Sequence, residues 1–452
     1  MSRRVGSPCC CDQQTLGCEG HNAAPSVPLE RGRASAERSE RPNASRSAQN
    51  ADPGISAVPA APAAAFVVLL LGLVVAACSG PILANPTEPP RPVPTATPAP
   101  TIPADPIPIV FPRDDGPHNR LTEWWYYTGH LRELDGDRKF GFEAVVFRAE
   151  RTGVPVTWAS HVALTDESNN RFLYAQRGEI GAQVDRSPRA PDGSATGFTL
   201  MVSGEVDLEL ETNPNRWQLS GSTGGHHVIV AALTGPEADA AGAEFGLNLD
   251  LIQNRPATLH DEDGWIDFGP AGSSYYYSIT ALRAAGILDL DGGGPIRVTG
   301  TAWFDHQWGD FISVGGGGWD WFAVNLADGT DLTVSLVRAA DGTYPLVYGT
   351  LVEADGSTRH LEASEFTADA DPSRTWTSPR TGATYPAGWT LKVPSEGLVI
   401  DLEPTVADQE LDTRATTGVV YWEGSQVVRA TRNGLPVAGE AYVELTGYAP
   451  GT

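Results

Sequence analysis

One stretch of the chain combines a histidine, two acids and several tryptophans. It runs from Trp303 to Asp310 with the sequence WFDHQWGD, and Trp319-Asp320-Trp321 follows soon after it. A carboxylate beside an imidazole fixes its tautomer and raises its proton affinity, so His306 held by Asp305 or Asp310 is a candidate proton donor. The alternative is structural, because aromatic residues at alternate positions are mostly sheet core and Asp–His pairs are often plain hydrogen bonds.

Tryptophan side chains flank this histidine in the sequence, and a buried indole N–H needs a hydrogen-bond partner. Together these residues suit a dry, aromatic-lined pocket with one proton donor. The candidate rings are Trp125, Trp303 and Trp308. Trp124 and Trp125 are adjacent, so only one of the two can point inward from a strand.

Other chemistries are excluded by inspection. The chain has no nucleophile elbow, no zinc-protease helix motif, no P-loop and no dinucleotide fingerprint. All five cysteines lie at or before Cys78, so the rest of the chain has no thiol chemistry. His226 and His227 are adjacent and would point to opposite faces of a strand, which disfavours joint ligation of a metal. We therefore expect no cofactor and no metal.

The charge of the chain limits its partners. The formal net charge is −25 at pH 7. Such an acidic surface repels nucleic acid and anionic headgroups. A neutral, hydrophobic small molecule is the more compatible ligand.

The first part of the chain is typical of an exported lipoprotein. Residues 1–57 show no hydrophobic period, and Ala63 to Ala77 is an apolar run of the length of a signal-peptide core. Val75-Ala76-Ala77-Cys78 resembles a bacterial lipobox, which implies lipidation of Cys78 and removal of residues 1–77. The alternative is an uncleaved anchor helix, although the run is short for one. Residues 79–108 are rich in proline and predict an extended tether.

From residue 109 onward the pattern is strand after strand. Leu247 to Leu251 alternates apolar and polar residues, as does Leu332 to Leu336. Asp-Gly pairs and Asn433-Gly434 separate such runs and suit tight hairpins. The length predicts an all-β protein with two antiparallel barrels, over residues 109–290 and 291–452.

Several motifs in a fixed order resemble the hydroxyneurosporene synthase and AttH-like family, whose first-named members are carotenoid hydratases. The motifs lie between Asp114 and Tyr448, and they are Asp114 to His118, Glu123 to Leu131, Phe140 to Arg148, Arg255 to His260, Ser274 to Ser278, Gly300 to Gly309, Tyr421 to Gly424 and Tyr442 to Tyr448. The resemblance implies two lipocalin-like domains with the site between or inside them.

The resemblance also implies roles for individual residues. It carries catalytic roles onto His306 and Trp308, with Asp305 as the expected partner of the histidine. The candidate ligand-binding residues in these motifs and in the tryptophan stretch are Glu123, Trp125, Tyr277, Trp303 and Trp321. The hydratases of the family also use a Tyr and an Asp on the following strand, and Leu332 to Arg338 contains neither; Ser335 and Val337 stand there.

Two functions follow from these features. The first is a hydratase-like enzyme that acts on an apolar isoprenoid or polyene. The alternative is a non-catalytic, lipocalin-type lipoprotein that binds a hydrophobic small molecule. The match around His306 favours the enzyme, and the departure at Ser335 favours the binder. Both readings place the protein outside the cytoplasm, anchored to a membrane through Cys78.

The predicted attachment of the protein to a membrane can be tested at the sulfur atom of Cys78. Cys78→Ser should leave an uncleaved precursor or release the protein from the membrane into the soluble extracytoplasmic fraction, because the acylated thiol is lost. Mass spectrometry of the membrane fraction checks this. Peptides from residues 20–57 in the mature membrane form would contradict the prediction.

Overall fold

A computed structural model describes residues 104–203, 217–311 and 316–450 of the chain. Cys78, the apolar run before it and most of the predicted tether lie outside the described residues. Within the described residues, no helix is long and apolar enough to cross a membrane.

The first antiparallel sheet has twelve strands. They are β1 (Thr122–Glu133), β2 (Lys139–Ala149), β3 (Thr157–Asp166), β4 (Arg171–Ile180), β5 (Phe198–Val202), β6 (Trp217–Gly221), β7 (His226–Leu233), β8 (Phe245–Gln253), β9 (Thr258–Leu259), β10 (Trp265–Asp267), β11 (Ser273–Leu290) and β12 (Ile296–Gly309). Its order is β4-β3-β2-β1-β12-β11-β8-β7-β6-β5, with β9 and β10 paired to β11. β1 and β12 are therefore central neighbours although they are far apart in sequence.

The second antiparallel sheet has eleven strands, and a separate pair of short strands accompanies it. In chain order they are β13 (Gly316–Leu326), β14 (Asp331–Ala339), β15 (Leu346–Val352), β16 (Thr358–Glu362), β17 (Thr367–Ala370), the separate pair β18 (Thr375–Thr377) and β19 (Thr384–Pro386), β20 (Trp389–Val393), β21 (Leu398–Pro404), β22 (Glu410–Asp412), β23 (Val420–Arg432), β24 (Leu435–Val437) and β25 (Gly439–Thr446). The main path is β16-β15-β14-β13-β25-β23-β21-β20-β17.

Helix is limited to short pieces. The α-helix α1 covers Pro236–Ala241. The described 3-10 helices are Arg113–Asp115, Glu167–Asn169, Ala182–Val184, Gly269–Ala271 and Pro394–Glu396. The predicted all-β class is thus confirmed, with two curled sheets of the barrel or half-barrel shape expected of lipocalin-like units. The chain passes from the first sheet to the second between Gly309 and Gly316. The domain boundary at residue 290 stays a prediction.

Local sequence explains the hairpins. β23 and β24 are joined by Asn433-Gly434, with Arg432 opposite Leu435. Both turn residues have positive φ, 51° and 78°. Asn and Gly tolerate this conformation better than other residues, and it matches the twist of the strands. The predicted Asn-Gly turn is confirmed.

Each sheet encloses an apolar core, and the central strands of the first sheet are buried on both faces. The inner face of β1 contributes Trp125, Tyr127 and Leu131 to the first core. Its other face contributes Tyr126 to a small cluster with Trp303, Trp321 and Tyr442 between the two sheets. The second core is separate, with members such as Phe322 and Trp389.

The contact between the sheets is polar as well as aromatic. We call it the intersheet layer, and it consists of Tyr126, Glu143, Trp303, Asp305, Trp321, Tyr421, Glu423 and Tyr442. Tyr126 of the first sheet donates to Glu423 of the second over 2.7 Å. Tyr421 of the second sheet donates to Glu143 of the first over 2.7 Å. Reciprocal bonds of this kind fix the register of one sheet on the other.

Two of the three carboxyl groups of this layer, those of Glu143 and Glu423, favour the protonated form at neutral pH. Burial raises the pKa of Glu143 to about 8 and moves the pKa of Glu423 well above its ordinary value, and their mutual repulsion adds to the rise for Glu423. The Oε2 atoms of both glutamates have no hydrogen-bond partner among the described residues. An ionised, unpartnered carboxylate would be costly there, so the neutral acid is the stable form.

This protonation should appear in the pH dependence of stability. The folded state retains a proton on Glu143 up to pH about 8, while the unfolded chain releases it near pH 4.5, so the contribution of Glu143 to stability falls as pH rises between these values. The Glu143→Gln variant has no carboxyl group at this position and so does not lose this stability as pH rises. The free energy of unfolding of the variant, minus that of the parent, should therefore increase by at least about 1 kcal/mol between pH about 5 and about 9.

Urea denaturation of both proteins across this range provides the measurement. Burial lowers the pKa values of His161, His227 and His260, so their contribution to the free energy of unfolding is lost as pH falls below 6.5. These histidines are present in both proteins, and their contribution cancels when the parent is subtracted from the variant. A difference that does not change with pH would show that Glu143 is ionised in the folded protein.

Candidate active site

Glu123 lies near the start of β1 with its side chain fully buried inside the first sheet. On the neighbouring strand β12, Trp308 lies opposite Glu123 and His306 lies opposite Trp125. Residues directly opposite one another on paired strands share a face of the sheet. The pairing of β1 with β12 therefore puts a carboxylate, an imidazole and two indole rings on the inner face.

Two histidines contact the same oxygen of this carboxylate. Glu123 Oε1 lies 3.0 Å from His306 Nε2 and 2.7 Å from His118 Nδ1. The backbone N–H of His118 also donates to Glu123 Oε2 over 2.9 Å. We call His118, Glu123 and His306 the two-histidine cluster. Of these three side chains, only that of His118 reaches the surface. It is 20% exposed, whereas the side chains of Glu123 and His306 are 0% exposed.

The surroundings give the three groups different proton affinities. Burial alone would raise the pKa of Glu123, but the charge of His118 and hydrogen bonds from both histidines lower it below the ordinary value. Burial works against a charge on His118, yet the negative charge of Glu123 and the bond to Asp114 raise its pKa. Burial lowers the pKa of His306, and Glu123 offsets this only in part. These shifts favour an ionised glutamate beside a protonated His118 and a neutral His306.

The segment before β1 supports His118 from outside. His118 Nε2 lies 3.5 Å from Asp114 Oδ1. Asp114 accepts from the Arg113 guanidinium over 2.6 Å and from the backbone N–H of Val110 over 2.7 Å. These bonds hold the pKa of Asp114 well below its usual range, although burial acts to raise it. The outer nitrogen of His118 thus faces a second negative charge.

A second buried acid stands behind His306. The Tyr277 hydroxyl lies 3.4 Å from His306 Nδ1 and donates to Asp115 over 2.7 Å. The backbone N–H of Thr223 donates to the other oxygen of Asp115 over 2.8 Å. The carbonyl of Asp115 accepts from the indole N–H of Trp125 over 2.9 Å. Asp115 therefore ties together two aromatic residues that border His306.

Aromatic rings enclose both imidazoles. The ring of His118 is stacked on Trp308 with centroids 4.1 Å apart and planes 1° apart. His306 lies between Trp125 and Trp308, with centroids 4.6 Å from each. These contacts exclude water from the inner part of the cluster and hold both rings in place.

The predicted pairing of His306 with Asp305 or Asp310 is wrong. Successive residues of a strand point to opposite faces, so Asp305 projects into the intersheet layer. There it accepts from the Tyr276 hydroxyl and the Trp303 indole, each over 2.6 Å. Burial raises the pKa of Asp305 to about 6. Asp310 pairs instead with Arg120 over 2.7 Å.

The predicted residues thus divide into two groups. Those that meet on the inner face are Glu123, Trp125, Tyr277, His306 and Trp308. The remainder, Asp305, Trp303 and Trp321, lie in the intersheet layer, where Trp303 and Trp321 meet edge to face with centroids 6.1 Å apart. The strand that lacks the expected Tyr and Asp, β14, belongs to the second sheet, and its Ser335 lies opposite Trp321.

Three participating residues were not predicted as part of the site. His118, Asp114 and Asp115 lie in the resemblance motif at its start, but no local pattern marks them as ligands of Glu123 or of its neighbours. The one signal in the sequence was that His118, in the loop before β1, lies only five residues before Glu123 on β1. The two-histidine cluster also offers two nitrogens and one oxygen that could hold a metal ion.

Comparisons with known proteins agree with this fold. The AttH-like family model matches residues 102–448. A crystal structure described as an AttH from Nitrosomonas europaea is 31% identical, with a TM-score of 0.61, and covers 78% of this chain and 100% of that chain. Kievitone hydratase from Nectria haematococca is 17% identical, with a TM-score of 0.53 and coverage of 76% and 94%, a likeness of fold alone. No curated protein sequence matches the chain.

Glu123 and Glu143 are both fully buried, on opposite faces of the first sheet, and they should respond differently to the same substitution. Glu123→Gln removes an ionised partner of two imidazoles and should cost about 3 kcal/mol of unfolding free energy at pH about 6. Glu143→Gln replaces a neutral acid by a neutral amide and should stay within about 1 kcal/mol of the parent. Urea denaturation measures both, and equal losses would contradict the ionised state of Glu123.

Proposed function

The chain belongs to the AttH-like family, and on that premise we propose that it is a hydratase-like enzyme for an apolar isoprenoid or polyene. Its active centre is the two-histidine cluster, and Trp125, Trp308 and Tyr277 form the wall. The proposal takes the substrate class from the resemblance to carotenoid hydratases and from the acidic, aromatic character of the chain.

One observation supports the proposal above all others. Two imidazoles share one oxygen of a fully buried carboxylate, and only one of them reaches the surface. Glu123 Oε1 can therefore accept from both imidazoles and stabilise a positive charge on His306, while the inner ring stays out of contact with water. A catalytic acid must be reloaded after each turnover, and the proton that the attacking water loses can do this.

The chemical step needs a strong acid in a dry place. His306 has a lowered pKa, so once it carries the proton it gives it up readily. Transfer of that proton to an alkene carbon breaks the π bond and leaves a carbocation on the neighbouring carbon. A water oxygen then bonds to this carbon, and the proton that the water loses returns to the cluster. The reaction adds one water and leaves the protein unchanged.

The aromatic wall would lower the energy of the carbocation. Trp125 and Trp308 flank His306 at 4.6 Å, so a carbon that receives its proton lies near both indole faces. Cation–π attraction is worth about 2 kcal/mol when the site is desolvated. Indole faces cannot add to the cation as a hydroxyl or a carboxylate would.

Location fits an apolar substrate. We propose that the protein is an extracytoplasmic lipoprotein, anchored to a membrane by lipid on Cys78 and spaced from it by the Pro-rich tether. The described end of that tether packs on the first sheet. Ile107 and Ile109 pack against the first core, and Ile107 donates its backbone N–H to Tyr275 over 2.7 Å.

A binding lipoprotein without turnover is the second candidate. β14 carries Ser335 and Val337 where the hydratases of the family use a Tyr and an Asp, and this favours binding without chemistry. In that case the cluster would be a structural support for the apolar core.

Mutations on the two faces of β12 should distinguish these functions. His306→Gln should keep most affinity for an apolar polyene and lose hydration by about a hundred- to ten-thousand-fold, because proton delivery is needed only in the transition state. Trp308→Phe should lose less, since a benzene ring keeps part of the cation–π attraction. The measurement is mass-spectrometric detection of product in isotope-labelled water, alongside ligand affinity.

Asp305→Asn is the matched control. It neighbours His306 in sequence but lies in the intersheet layer, so it should retain hydration if the protein remains folded, as the melting temperature reports. Turnover in the parent that His306→Gln leaves unchanged would contradict the proposal. Affinity that depends on Trp308 with no turnover in any protein would establish the binding lipoprotein instead.

A further inference from the structure

We infer that the two-histidine cluster is a binding site for a divalent transition-metal ion of the zinc class, with His118, Glu123 and His306 as ligands. This inference goes beyond the proposed function and does not depend on it. The sequence predicted no metal site because the three ligands come from a loop, from β1 and from β12, with no motif spacing between them.

The ligand set and its spacing fit such an ion. Two imidazole nitrogens and one carboxylate oxygen form a common zinc set that leaves a fourth position open. The three ligand atoms all lie within 4.8 Å of one another. Tetrahedral zinc ligands lie roughly 3.3 Å apart. The contacts of 2.7 and 3.0 Å at Glu123 Oε1 need to widen by roughly 0.5 Å, and the two histidine nitrogens, within 4.8 Å of each other, need to move to a similar spacing.

Both histidines also have the outer partners that metal ligands usually have. The nitrogen of His118 that faces away from Glu123 lies 3.5 Å from Asp114 Oδ1. The corresponding nitrogen of His306 lies 3.4 Å from the Tyr277 hydroxyl, which is bonded to Asp115. Outer groups of this kind fix the ring orientation and raise the basicity of the ligating nitrogen.

Charge and access agree with the geometry. Glu123 is an acid with no exposed surface, and a buried carboxylate requires a positive partner. A metal ion provides that charge when it displaces the protons that the histidines direct at Glu123 Oε1. The exposed edge of His118 gives the ion a way in. Nitrogen ligands disfavour calcium and magnesium, which bind oxygen.

Cobalt titration of the full chain tests the inference. All five cysteines should first be replaced by serine in every protein used, because thiolates among residues 1–78 would bind the same metals. We expect one equivalent of cobalt to bind with the visible absorption of a tetrahedral nitrogen–oxygen site, and one equivalent of zinc to displace it. Calcium should produce no displacement.

Ligand variants and a matched control give the outcome. Glu123→Gln and His118→Ala should each weaken cobalt binding at least about tenfold, whereas Glu143→Gln should bind as the parent does. His118→Ala keeps the test valid if Glu123→Gln fails to fold, because His118 is partly exposed. Absence of the absorption band in the parent, or a band that survives in both ligand variants, would overturn the inference. Neither result depends on whether the protein hydrates a substrate.

Discussion

A carboxylate buried inside the first sheet is the constraint on which the site depends. Glu123 has no exposed surface, and an ionised group there is stable only beside compensating charge and donors. His118 and His306 supply both at one oxygen atom. A metal ion at the proposed site would neutralise the same charge and would compete with these protons for the same nitrogen atoms. The segment before β1 and the pairing of β1 with β12 serve to bring the histidines to this carboxylate.

The neighbouring strands β1 and β2 show how environment decides the state of an acid. Glu123 on the inner face lies against imidazoles, so its pKa is lowered. Glu143 on the other face meets only a tyrosine hydroxyl and other acids, so its pKa is raised to about 8. One sheet thus carries a glutamate that favours the ionised form on its inner face and one that favours the protonated form on the face that meets the second sheet. Hydrogen bonds from tyrosine hydroxyls to these acids join the sheets at low desolvation cost.

Sequence periodicity was sufficient for the fold but not for the site. Alternation and turn residues predicted the all-β class, and Asn433-Gly434 forms the turn that its residues favour. β1 was harder to interpret, because both faces of the strand are buried and the run of aromatic residues does not alternate. The adjacent acid Asp305 looked like the partner of His306, yet strand geometry places them on opposite faces. The true partner, Glu123, is 183 positions away, and only the strand pairing brings it near.

Neutron diffraction from metal-free, deuterated crystals would test the central claim most directly, since it locates protons at individual nitrogen and oxygen atoms. The account predicts deuterons on His118 Nδ1 and on His306 Nε2, both directed at Glu123 Oε1, and none on the carboxyl group of Glu123. A deuteron on Glu123, with either histidine nitrogen acting as its acceptor, would contradict the account.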